Sequence, residues 1–122
     1  MTACEWHDVC GVDEVPVDRG IAVLVAGEPV ALFRLSPLDP EDGDEWYAVS
    51  HVDPVSRAPV MARGLVGSVP APGGGPSLPT VAAPLHKQRY DLRTGRCLDD
   101  VDLALGVHAV CVTGDRVLIR LG

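Results

Sequence analysis

The amino-acid sequence predicts one all-β domain of antiparallel strands, arranged as a small sandwich or barrel. Short β-branched and aliphatic segments recur along the 122 residues, separated by turn-forming Gly, Pro and Asp, which is the pattern of such folds. No segment has the apolar spacing of an amphipathic helix of three or more turns. The hydrophobic share is 47% with a single Phe, so we expect an aliphatic core, which a domain of this length can bury without a metal or disulfide.

The first half of the chain contains a predicted β-hairpin followed by a further strand. Residues 21–25 and 30–35 are aliphatic runs joined by Ala26-Gly27-Glu28-Pro29, a composition that favours a turn. Residues 45–50 resume as a strand. Residues 13–16 are the best short helical candidate, because carboxylates near a first turn complement the helix dipole.

The second half contains a predicted long loop and the clearest hairpin of the sequence. The many Pro and Gly residues from Gly67 to Pro79 oppose regular strand pairing, so we predict a loop over 67–79 within a single domain of residues 1–122. Residues 107–112 and 117–121 show period-two alternation on either side of Thr113-Gly114-Asp115. These two arms are therefore predicted to pair as antiparallel neighbours.

The charge and composition of the chain exclude several kinds of partner. The formal net charge is −7 and the pI about 4.8, which argues against nucleic acid, because phosphate backbones are bound by clustered Lys and Arg. The N-terminal residues lack the basic and apolar regions of a secretory signal, and no window approaches the ~20 apolar residues of a membrane span. We therefore expect a cytoplasmic protein without membrane association, whose four cysteines are free thiols.

Two segments resemble the cluster-binding loops of Rieske iron–sulfur domains. The run Ala83-Pro84-Leu85-His86 is similar to the second loop, C-P-x-H, and is likewise followed by an aromatic-Asp-Leu strand and a Thr-Gly turn. The run from Ala48 to Val55 resembles the first loop. A Rieske cluster needs two thiolates and two imidazoles. The resemblance assigns these four places to Asp53, Val55, Ala83 and His86. Of these, only His86 has the side chain that binds the cluster in Rieske domains.

The same segments are similar to a Rieske-like family, the small subunit of NAD(P)H-dependent assimilatory nitrite reductase. Its signatures A-x-x-N/H-x-D-P and P-L-x-K-Q match residues 48–54 and 84–88, and the resemblance runs from about Trp6 to the C-terminus. It implies a Rieske-like fold and an accessory role beside a large subunit that carries FAD, an iron–sulfur cluster and sirohaem and reduces nitrite to ammonium. From the replaced ligands we expect no cofactor, no metal and no catalytic residue in this chain.

The tip formed by the two loops is the predicted contact surface for the large subunit. The loop frame persists although its ligands are replaced, which a surface with no partner would not require. Lys87 and Arg89 also belong, with Arg93 and Arg96, to a basic cluster that is either a docking patch or a solvated strand face. The expected contact residues are Asp53, Pro54, Val55, Pro84, Leu85, His86, Lys87 and Arg89.

Two metal sites and two other functions remain as alternatives. His51, Asp53 and His86 could form a facial triad for one metal ion, although Asp53 before Pro54 is more simply a turn residue. A zinc site is also possible near the N-terminus, where Cys4, His7 and Cys10 would supply three of the four ligands that a structural zinc ion needs. The other functions are a Rieske-type electron carrier, which the replaced ligands oppose, and an interaction module with no link to nitrite.

Overall fold

The computed structural model describes residues 5–37, 41, 43–71, 73–75 and 77–122. It confirms the predicted all-β fold, because the described chain consists of strands, turns and two short 3₁₀ helices, Val12–Glu14 and Met61–Arg63. The strands are β1 (His7–Gly11), β2 (Arg19–Val25), β3 (Glu28–Leu35), β4 (Glu45–Ser50), β5 (Leu65–Val69), β6 (Leu78–Ala82), β7 (Arg89–Asp91), β8 (Val107–Thr113) and β9 (Arg116–Arg120).

The larger sheet has six antiparallel strands in the order β1-β9-β8-β4-β3-β2. Its two edge strands, β1 and β2, lie against each other, so the sheet curls into a nearly closed barrel. The smaller sheet has three antiparallel strands in the order β5-β6-β7. The structure is therefore a Rieske-like two-sheet fold, in which β4 leads out of the barrel and β6 and β7 flank the second of the two resembling loops.

Both predicted hairpins are confirmed, with β2, β3 and β8 one or two residues longer than predicted and β9 shifted by one residue. The turn between β2 and β3 is Ala26-Gly27, with φ of 49° and 85°, the left-handed pair that suits a tight hairpin. The second hairpin joins β8 and β9, and the strand predicted over 45–50 is β4. The helical prediction at 13–16 corresponds to the 3₁₀ helix Val12–Glu14, where Gly11 N–H donates to the Glu14 carboxylate at 2.6 Å.

The loop predicted over residues 67–79 is wrong at both ends. Strand β5 continues to Val69 and β6 begins at Leu78, so that Gly67 pairs with Thr80 and Ser68 with Pro79. Pro79 lies near the start of β6, a position where a residue without an N–H is tolerated, and its carbonyl accepts Leu92 N–H at 3.0 Å. The Pro and Gly composition therefore overestimated the length of the loop, which lies between the end of β5 and the start of β6. Its residues 72 and 76 are outside the described part.

The core consists of two clusters that share strand β3. Alternate side chains of β3 point to opposite faces, so Val30 and Leu32 pack inside the barrel while Ala31 and Phe33 pack between the sheets. All four are fully buried. A strand buried on both faces reads as a continuous apolar run, as β3 does. The cluster between the sheets also holds Tyr90 and the residues closest to the two loops, Ala83, Met61 and Leu105.

His108 on β8 makes the stability of the fold dependent on pH. Its Nδ1 accepts Gly122 N–H at 3.1 Å, and burial lowers the pKa of His108 below its usual 6.5, although Glu28 acts in the opposite direction. Well above pH 6.5 the His108 ring is neutral in both the folded and the unfolded chain. Below it the unfolded chain takes up the proton first, so the free energy of unfolding falls as the pH decreases.

We therefore expect the thermal midpoint to fall between pH 7.5 and 5.5, and to fall less in His108→Gln, whose amide oxygen can accept the same N–H without titrating. Differential scanning calorimetry of both proteins at each pH measures the difference. An equal fall in the two proteins would show that His108 is not responsible.

Candidate functional site

The first of the two loops ends in a six-residue turn, Asp53–Ala58, which follows β4. Arg57 N–H donates to the Asp53 carbonyl at 2.7 Å, and Asp53 N–H donates to the Ala58 carbonyl at 2.9 Å. The Asp53 side chain accepts Val55 N–H at 2.9 Å, which confirms the turn role predicted for it. Arg57 has φ of 64°, so a long basic side chain occupies a left-handed position.

The second loop is a turn of the same construction, Ala83–Gln88, between β6 and β7. Lys87 N–H donates to the Ala83 carbonyl and Ala83 N–H to the Gln88 carbonyl, both at 2.9 Å. Lys87 has φ of 61°, matching Arg57. Position by position, Asp-Pro-Val-Ser-Arg-Ala and Ala-Pro-Leu-His-Lys-Gln share a proline, an exposed aliphatic residue and a left-handed cation. These two turns, residues 53–58 and 83–88, are called the tip below.

A third turn, Asp91–Arg96, repeats the hydrogen bonds but not the side chains. Gly95 N–H donates to the Asp91 carbonyl at 2.7 Å and Asp91 N–H to the Arg96 carbonyl at 2.9 Å. Gly95 has φ of 80° and takes the place of the cation. Sequence reasoning recognised Thr94-Gly95 as a turn but missed the threefold repetition, because three different residue types fill the left-handed position.

A buried hydrogen-bond network joins the two turns of the tip. Gln88 Nε2 donates to Asp53 Oδ1 at 2.9 Å and to the Tyr90 hydroxyl at 3.0 Å. Asp53 and Tyr90 are fully buried and Gln88 is nearly so, and burial raises the pKa of Tyr90. Asp53 Oδ2 and Gln88 Oε1 are buried without a hydrogen-bond partner among the described residues. The network fixes the spacing between the turns, since each end of it belongs to one of them.

The two histidines of the alternative metal site, His51 and His86, differ in burial and in their contacts. His51 is buried and its Nδ1 accepts Ala62 N–H at 3.1 Å. Burial, and secondarily the charge of Arg63, lowers the pKa of His51, so its ring is a neutral structural acceptor. His86 is exposed at the tip. Within the described ranges no three His, Cys, Asp or Glu side chains are grouped to hold a metal ion. The alternative zinc set includes Cys4, which lies outside the described residues.

The structure divides the predicted basic cluster. Arg89 pairs with Asp99 at 2.9 Å and Arg93 with Asp91 at 3.2 Å, so these two cations are already engaged within the chain. Arg57 and Lys87 are exposed and make no side-chain hydrogen bond or ion pair with any described residue. The available positive charge of the tip therefore comes from its two left-handed positions, Arg57 and Lys87. Arg57 ends the first loop of the predicted tip, but it was not counted in the predicted basic cluster because it is remote from Lys87 in sequence.

The comparisons with known proteins agree with this architecture. A model of the Rieske-like [2Fe–2S] domain matches residues 5–120. The nitrite reductase (NADH) small subunit of Escherichia coli K12 is 33% identical over 95% of this chain and 97% of its own length. The structure of the nitrite reductase [NAD(P)H] small subunit from Erwinia carotovora superposes with a TM-score of 0.71 at 30% identity, covering 100% of this chain and 84% of that one.

A further relative contains this domain inside a longer polypeptide. The nitrite reductase [NAD(P)H] large subunit of Klebsiella oxytoca is 35% identical over 93% of this chain, and the match spans 11% of the large subunit. Together with the two-sheet fold and the paired turns, these findings place the chain in the Rieske-like [2Fe–2S] domain family. Within that class it belongs to the nitrite reductase small subunits.

The family corrects the prediction that this chain has no cofactor. The matching model describes a [2Fe–2S] domain, so membership implies a cluster and the prediction is wrong. The side chains at the four places assigned by resemblance nevertheless do not fit the usual ligand set of two thiolates and two imidazoles. Ala83 and Val55 present hydrocarbon groups, and Asp53 is bonded to Gln88.

A membrane-spanning helix is not found in the part of the chain that the structure describes, since none of its helices is long and apolar enough.

Proposed function

We propose that this chain is the small subunit of an NAD(P)H-dependent nitrite reductase, and that it assists a large subunit in reducing nitrite to ammonium in nitrogen assimilation. The similarity to small subunits along nearly the whole chain is the observation that supports this most. The Klebsiella relative adds a physical argument, because a copy of this domain within the large-subunit polypeptide is held at high effective concentration next to the rest of that protein.

The role we assign to this chain is accessory. Among the described hydrogen bonds, neither His51 nor His108 contacts a Ser, Thr or Cys side chain, so the arrangement of an activated nucleophile is not formed there. The chain instead offers a shaped surface with a fixed geometry. We also assign it to the cytoplasm, where thiols stay reduced, and the free state of Cys10, Cys97 and Cys111 supports that assignment.

We place the contact with the large subunit at the tip. Val55 and Leu85 are 42% and 58% exposed, and Lys87 and His86 lie beside them. Two of the residues predicted from the sequence have other tasks: Asp53 is buried beneath the surface and supports it, and Arg89 is held by Asp99. The proposed contact set also includes Pro54 and Pro84, the prolines that fix the two turns.

The test is co-expression of this chain with its cognate large subunit. We expect the two to elute together in size-exclusion chromatography. We also expect nitrite-dependent oxidation of NADH or NADPH to fall at least about tenfold when this chain is omitted, which corresponds to about 1.4 kcal/mol of lost transition-state stabilisation. A Rieske-fold ferredoxin from a dioxygenase serves as the control and should not restore activity. Separate elution, together with full activity of the large subunit alone, would contradict the proposed function.

A further inference from the structure

The tip carries two equivalent apolar projections. Val55 and Leu85 occupy the same third position of their turns, each directly after a proline, and both are exposed to solvent. Exposed aliphatic side chains on rigid turns can contribute to binding a protein partner, because burying them removes apolar area from water and ordering them costs little entropy. Their spacing is fixed by the hydrogen bond from Gln88 to Asp53.

Each projection is accompanied by a cation held in a strained backbone position. A left-handed φ is costly for a long side chain, whereas Gly or Asn adopts it readily, yet Arg57 and Lys87 occupy it at 64° and 61°. Of the other residues in the predicted basic cluster, Arg89 and Arg93 are paired with aspartates, and Arg96 is exposed on the third turn, outside the tip. The backbone N–H groups of Arg57 and Lys87 close the two turns, while their side chains have no partner among the described residues, so the two charges are available to an external anionic group.

A groove lies beside the first turn. It encloses about 370 Å³ and is bordered by Pro54, Arg57 and Leu105. The arrangement of an apolar projection, a free cation and an adjoining groove fits a partner surface that presents carboxylates around an apolar side chain. A polyanion such as nucleic acid fits less well, because the chain as a whole carries a net charge of −7 and offers only these two cations at the tip.

We infer that the tip recognises an acidic, apolar-centred surface of the large subunit through two matched pairs, Val55 with Arg57 and Leu85 with Lys87. This inference rests on the proposed function and specifies the chemistry of its contact. The aliphatic side chains supply the buried area, and the cations supply orientation and speed of association, since charge pairs at a rim mainly affect the association rate.

The experiment measures binding of this chain to the immobilised cognate large subunit by biolayer interferometry at about 0.05 and 0.5 M salt, where screening lengths differ severalfold. The charge variant is Arg57→Asn with Lys87→Asn, because Asn tolerates the left-handed backbone. The apolar variant is Val55→Ser with Leu85→Ser. Controls are Arg57→Lys with Lys87→Arg, which keeps both charges, and Val17→Ser with Val112→Ser. The second control removes two side chains exposed by 43% and 39% at the ends of the strands remote from the tip.

We expect each tip variant to bind at least about tenfold more weakly than wild type at low salt, with the charge variant losing most of its salt dependence and both controls staying within about twofold. Wild-type affinity in the tip variants, or equal weakening in the Val17 and Val112 control, would overturn the inference while leaving the proposed function intact. If the wild-type chain itself fails to bind the large subunit, the proposed function falls, and the inference with it.

Discussion

Replacing Gly95 by alanine is expected to lower the free energy of unfolding by about 2–5 kcal/mol, the sum of a backbone cost and a steric cost. Gly95 has φ of 80°, where a Cβ is disfavoured. A Cβ there would also lie 2.0 Å from the carbonyl oxygen of Leu105, a backbone atom that cannot rotate away. The Leu105 N–H also donates to the Gly95 carbonyl at 2.7 Å. Moving Leu105 away from the added Cβ would therefore break this hydrogen bond between Leu105 and the third turn.

Gly114→Ala is the matched control for this prediction. Gly114 has φ of 61° but no atom within 4 Å of the added Cβ, so the substitution carries the backbone cost alone, about 1 kcal/mol. Urea unfolding followed by circular dichroism gives both values. Equal losses in the two variants would show that contact with Leu105 does not restrict Gly95.

Removing the carboxylate of Asp53 is expected to have the second largest effect. In Asp53→Leu the N–H groups of Val55 and Gln88 lose their shared acceptor inside a buried network, which costs about 2–4 kcal/mol. Loss of this link should also loosen the spacing of the tip. We therefore expect a lower urea midpoint together with faster hydrogen exchange of the Arg57 and Lys87 amides, which close the two turns.

Asp53→Asn provides the control for the network. Its amide oxygen can still accept both N–H groups, and its NH₂ replaces an oxygen that has no partner among the described residues. We expect its stability to remain within about 1 kcal/mol of wild type. If Asp53→Leu unfolds at the wild-type urea concentration, the buried link contributes nothing measurable and another contact must hold the turns together.

Local pattern predicted the parts of the fold that depend on neighbouring residues. The hairpins of β2–β3 and β8–β9 follow from alternation and turn chemistry, which operate over a few residues. The pairing of β5 with β6 was missed because Pro and Gly composition describes the loop and says little about where its flanking strands begin. The cluster between the sheets stabilises these two strands, because Val81 of β6 is buried in it and Val66 of β5 packs against it.

The two loops of the candidate site could be located in the sequence, but the contacts within and between them could not. The two loops were identified from their resemblance, yet the bond between Asp53 and Gln88 joins residues 35 positions apart, which local pattern does not reveal. Charge availability is equally a tertiary property. Arg89 reads as free in the sequence and is paired with Asp99, whereas Arg57 reads as isolated and lies exposed at the tip.

The sharing of β3 between the two clusters links the barrel to the tip mechanically. Adjacent residues Leu32 and Phe33 serve different interiors, so neither interior can be repacked without moving the backbone of the other. A change deep in the barrel is thus transmitted through one strand to the layer beneath the turns. The positions of the two turns therefore depend on side chains deep in the barrel as well as on the residues of the turns themselves.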